Sequence, residues 1–104
     1  MTGQYAVIFT SKRTPIEHGY AEMAVEIADL ASRQPGFIKM DSARQDVGIT
    51  VSYWESLEAI KEFKRISKHI EAQRAGKTQW YQWYDVKVCQ VLREYSFDSE
   101  PLVA

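Results

Sequence analysis

The strands implied by this sequence are apolar on both of their faces, and that property limits the fold more than any motif does. In Tyr5-Ala6-Val7-Ile8-Phe9-Thr10, strand alternation puts Tyr5, Val7 and Phe9 on one side and Ala6, Ile8 and Thr10 on the other. The segment Trp83–Tyr95 repeats the pattern, with Val86, Val88 and Leu92 opposite Trp83, Cys89, Val91 and Tyr95. A sheet with one wet face would carry a polar residue at every second position. Both faces here need cover. Helices of the same chain can cover one, and a second copy of the sheet is the economical cover for the other, so the sequence predicts a homodimer joined through the sheet face. Burying on the order of a few hundred more Å² per subunit at ~25 cal/mol per Å² contributes several kcal/mol before association entropy is subtracted. That is comparable with the ~5–15 kcal/mol that holds a whole domain together.

The order of elements supplies the other layer. Tyr5–Thr10 is a strand, and Ser11–Gly19 is a connection punctuated by Pro15 and Gly19. Tyr20, Met23, Ala24, Ile27, Ala28 and Ala31 recur at helical spacing until Pro35-Gly36 stops them. Phe37–Ser42 and Ile49–Trp54 are two strands with the polar run RQDVG as a hairpin loop between them. Ser56 caps a second helix that carries Leu57, Ile60, Phe63, Ile66 and Ile70, with Gly76 as its terminator. Trp83–Tyr95 is the last strand, and residues 95–104 form a tail. The β-α-β-β-α-β order predicts an α+β, ferredoxin-like antiparallel sheet with two helices on one face.

The 104 residues are read as one domain spanning 1–104, the size of a single core. Thirteen basic against fourteen acidic side chains leave a net charge of -1, which gives no field to hold nucleic acid or an anionic membrane. Cys89 is the single cysteine, so there is no internal disulfide and no multi-cysteine metal site. The N-terminus lacks the order of a signal peptide, and no apolar run reaches the ~18–20 residues of a membrane helix. A cytoplasmic protein with no metal and no cofactor is the expectation.

Taken in order, YAVIFTSKRT, QPGFI, SYWES, HIEAQRAG and YDVKVCQVLREY resemble the antibiotic biosynthesis monooxygenase family, over about residues 5–95. The resemblance implies a dimeric α+β barrel with a ligand pocket between each subunit's helices and its own sheet. One branch of that superfamily oxidises polycyclic aromatic substrates with oxygen and without metal or flavin, using pocket tryptophan, tyrosine, asparagine and arginine. Another degrades haem with an asparagine, a tryptophan and an iron-binding histidine. This chain has no asparagine, and its second helix offers Phe63 and no tryptophan. Haem is therefore the weakest of three readings, behind cofactor-independent oxygenation of an aromatic compound and non-catalytic binding of a small hydrophobic ligand.

Two residues are candidates for chemistry. His69 can serve as base or proton relay at neutral pH, or it is a helix-end histidine favoured by the helix dipole. Trp54 can form a pocket wall with an inward N–H, or it plugs the corner between strand and helix. Phe9, Ile27, Phe63, Trp80 and Tyr84 are the candidate substrate-binding surface, apolar and aromatic as a planar ligand requires. If the run from Trp80 to Tyr84 is extended, alternation sets Trp80 and Tyr84 on one face and Tyr81 and Trp83 on the other. Cys89 reads as a buried, inert thiol, and Asp41, Arg44 and Asp46 read as a solvated hairpin.

Overall fold

The structure, a computed structural model, describes residues 4–74 and 77–99. The first strand, β1 (Tyr5–Arg13), runs three residues past its apolar segment. It is flanked on both sides, and its ladders continue through Ser11 and Lys12 to Gly48 and Val47 on one side and Tyr84 and Trp83 on the other. Pairing on both edges holds polar residues extended that would otherwise start a loop.

Helix α1 (Tyr20–Ser32) starts at Gly19, whose φ of 84° a residue without a Cβ adopts at no steric cost. The side-chain cap comes from further back. Glu17 accepts the N–H groups of Gly19 and Ala21 at 3.0 and 2.9 Å. Strands β2 (Phe37–Arg44) and β3 (Val47–Trp54) are joined by only two residues, Gln45 and Asp46. The predicted RQDVG loop is shorter because Arg44 pairs with Gly48 in the ladder. Ser56 caps α2 (Leu57–Arg74) as expected, its Oγ accepting the Ala59 N–H at 3.1 Å. The predicted terminator Gly76 lies outside the described residues.

One helical turn, α3 (Lys77–Trp80), then leads into β4 (Tyr81–Gln90). The predicted strand 83–95 is thus displaced toward the N-terminus. It begins early because a bulge between Lys12 and Arg13 lets Tyr81 pair with Arg13. It ends early because Gln90 faces Tyr5, the first residue of β1, and beyond Val91 N–H to Gln4 O at 2.9 Å the ladder stops.

The sheet order is β2-β3-β1-β4, antiparallel throughout, which is the ferredoxin-like arrangement the element order predicts. Ala31, Trp54 and Ile60 centre the core where α1 and α2 meet the sheet. Phe37 meets Trp54 edge-on at 5.4 Å, and Phe63 stacks on it at 5.1 Å. Gly36, at φ 88°, permits the approach, since a Cβ there would stand 2.8 Å from the Ala59 Cβ. On the face away from the helices, Val47, Ile49 and Trp83 are exposed and Ile8, Val51 and Tyr53 half-buried. Past the sheet, Leu92 and Phe97 are 85% and 91% exposed.

Candidate functional site

Register brings one row of side chains from all four strands beneath the helices. Val7, Phe9 and Ser11 stand beside Ser52, Thr50 and Gly48 of β3 and beside Val88, Val86 and Tyr84 of β4. Met40, Ser42 and Arg44 extend the row across β2. Above it, α1 presents Met23 and Ile27, with only Ala24 and Ala28 between and after them, and those small side chains leave space unfilled. A cavity of about 560 Å³ results, within the range of small-molecule sites. Its β4 margin is open, and Tyr84, Val86 and Val88 are exposed there.

The two sides of this cavity differ chemically. Toward β4 it is aromatic: Phe9 stacks on Tyr84 at 5.6 Å with 22° between the rings, and Tyr81 meets Phe9, Tyr84 and Tyr20 edge-on at 5.7–5.8 Å. Toward β2 it is hydroxylated, with Ser42 and Thr50 sharing a hydrogen bond of 3.1 Å. Arg44 closes that side, its guanidinium donating to Ser11 Oγ at 2.5 Å and to Ser11 O at 3.3 Å. Burial, reinforced by a hydrogen bond to Tyr20, drives the Tyr81 hydroxyl far above the ordinary phenol range. The charge of Glu71 adds to that shift and that of Arg44 opposes it, and both residues line the same cavity. At neutral pH Tyr81 is a neutral donor and cannot serve as a base.

Four of the sequence-predicted residues, Phe9, Ile27, Phe63 and Tyr84, line the cavity together. Trp54, Trp80 and His69 are not among its lining residues. Trp54 is fully buried and gives its indole N–H to Ser52 Oγ at 2.9 Å, so it plugs the corner between β3 and α2. Trp80 belongs to α3, not to an extended segment. Its indole N–H goes to His18 O at 3.2 Å, and its carbonyl accepts from Thr14 N and Arg13 Nε at 2.9 and 3.0 Å. It pins the connection before α1. The alternation expected from Trp80 to Tyr84 therefore fails, and the bulge places Tyr81 with Tyr84 on the cavity side.

His69 is exposed. The wall of α2 is made by Phe63, Lys64, Ser67, Lys68 and Glu71. His69 lies two residues past Ser67, about 200° around a helix of 3.6 residues per turn. Cys89 is half-buried on the opposite face of the sheet, paired with Ala6.

Arg44, Tyr20, Tyr81, Lys64 and Lys68 are wall residues that sequence reasoning missed. For Arg44 a signal existed, since it continues the alternation of Met40 and Ser42 and faces a glycine. Among the described residues there is no group of three His, Cys, Asp or Glu placed to hold a metal ion, and no helix is long and apolar enough to cross a membrane.

No family model matches the chain. It is 41% identical over 97 residues to the uncharacterised protein YqjZ of Bacillus subtilis, covering 91% of this chain and 85% of that one. The structure superposes on SnoaB, a cofactor-independent oxygenase from Streptomyces nogalater, with a TM-score of 0.71 at 10% identity, over 88% of this chain and 95% of that one. A Caulobacter crescentus protein described as a candidate antibiotic biosynthesis monooxygenase gives 0.70 at 15% identity, over 88% and 92%.

Proposed function

The chain belongs to the family of YqjZ and carries the antibiotic biosynthesis monooxygenase fold, and from that premise we propose that it binds an electron-rich aromatic compound and promotes its oxygenation without a cofactor. The supporting observation is the cavity itself: apolar across Val7, Ile27 and Phe63, aromatic along Phe9 and Tyr84, and roofed by two helices. Such a site would strip solvent from the ligand and favour loss of a proton from an activated carbon, after which dioxygen can react with the carbanion. For an anthrone, the ring CH2 becomes C=O. One oxygen atom stays on carbon and the other leaves as water with the two hydrogens.

We assign Glu71, a carboxylate that lines the cavity with Tyr81, as the proton acceptor, and Tyr81, its hydroxyl turning from Tyr20 to the ligand, as a neutral donor to the developing oxyanion. The sequence points instead to His69 as base and Trp54 as wall. Oxygen consumption with anthrone separates the two assignments. Glu71→Gln should lower turnover about 10²-fold or more, as loss of a general base does. A comparable loss in His69→Ala with Glu71→Gln active would restore the histidine.

A second reading, non-catalytic binding of the same class of ligand, is favoured by the lack of a histidine among the described wall residues. Tight binding with no oxygen uptake would select it. Histidine-ligated haem draws no support from a histidine on the far side of α2. In either reading the protein is a cytoplasmic homodimer joined through its open sheet face.

A further inference from the structure

The hydroxylated side of the cavity ends in a guanidinium, and a small neutral hydrocarbon has no use for one. Arg44 reaches inward because the residue facing it across the hairpin is glycine. A Cβ on Gly48 would collide with the Arg44 guanidinium, so Gly48 gives it the room to lie across β3 and bond to Ser11. Those two bonds to Ser11 use a minority of the five N–H donors that an arginine carries. Lys64 and Lys68, one turn apart on α2, belong to the opposite wall. Against these three cations stands the carboxylate of Glu71, while Asp85, at the β4 margin, falls by register on the opposite face of the sheet and is ion-paired there with Lys87. The excess is positive, and it sits in a site whose remaining surface is apolar and aromatic.

We infer that the cavity selects an aromatic carboxylate, with its ring against Phe9, Phe63 and Tyr84 and its carboxylate on Arg44. A planar guanidinium matches a carboxylate in a two-point geometry that an ammonium cannot reproduce. Arg44 is thereby a specificity-determining residue, and Gly48 is the positioning residue that lets the guanidinium lie across β3 beside Ser11. This rests on the reading of the cavity as a site for aromatic ligands, and the test distinguishes the two.

The experiment compares 1-naphthoic acid with 1-naphthalenemethanol, matched bicyclic probes with and without a carboxylate, by calorimetry at neutral pH. The wild-type protein should bind the acid about tenfold more tightly, the worth of one charge-assisted interaction. In Arg44→Gln the ratio should fall to about one while the alcohol still binds, which also shows that the cavity is intact. Gly48→Ala keeps the positive charge but displaces it, and should reduce the ratio as well. Equal affinity for the two probes in the wild type, or a preference that survives Arg44→Gln, overturns the inference and leaves the aromatic site standing. Failure of the wild type to bind either probe overturns both.

Discussion

At the scale of single residues, the two candidate tryptophans, Trp54 and Trp80, stand outside the cavity lining, each with its N–H given to a protein acceptor. A buried indole needs an acceptor, and Trp54 finds one two residues away in Ser52, on the same face of β3. Ser52→Ala should therefore cost about 1–3 kcal/mol, since it leaves a fully buried donor unpaired without removing much volume. A urea titration should show a lower midpoint with an unchanged slope, and an unchanged midpoint would mean that the indole has found another acceptor. Sequence alone could not assign Trp54, because a strand-end tryptophan reads alike as plug or wall until the partner of its N–H is known. Phe63 was legible from spacing, being three residues on from Ile60 in the inward stripe of α2. His69 was not, because closeness in sequence to that stripe says little once each residue turns the helix by ~100°.

At the scale of elements, periodicity and turn residues gave every major strand and helix in order, and the errors lay where pairing overrides local preference. β1 and β4 end where their partners end, which no local window of sequence contains. The start of α1 is a similar case. Gly19 carries no side chain to cap it, and the carboxylate of Glu17 performs that work from outside the helix. Hydrogen bonds from Ala21 and Gly19 lower the pKa of Glu17 below its ordinary 4.5. A carboxyl whose pKa is lowered by folding contributes its stability fully above the unfolded value, and loses it as pH falls through the folded one. Glu17→Gln should accordingly lower the melting temperature at pH 7. The gap between variant and wild type should close as pH drops from about 4.5 through the folded pKa, in the range where wild-type Glu17 becomes protonated. A gap independent of pH would show that the loop conformation, and not the charge, sets the helix start.

At the scale of the whole molecule, the face of the sheet away from the helices is organised like an interface. Its two central strands contribute apolar side chains, Ile8 from β1 with Ile49, Val51 and Tyr53 from β3. Its two outer strands carry charges that neutralise one another within the strand, Lys39 with Asp41 on β2 and Lys87 with Asp85 on β4. An apolar centre inside a charged rim is the anatomy of a protein–protein contact. The segment beyond β4 adds Leu92, Tyr95 and Phe97, all heavily exposed. Two-faced alternation in Tyr5–Thr10 made the apolar character of the outer face legible, whereas the self-paired rim depends on register and could not be seen beforehand. If the centre is what two copies bury, Val51→Lys should weaken self-association at least about a hundredfold, because an unpartnered ammonium would be trapped between sheets. Lys39→Ala, at the rim, should change it by only a few-fold. Sedimentation equilibrium across micromolar concentrations reads both. Wild-type protein that sediments as one chain at low micromolar concentration, or a dimer indifferent to Val51→Lys, would mean that the outer face is covered in some other way.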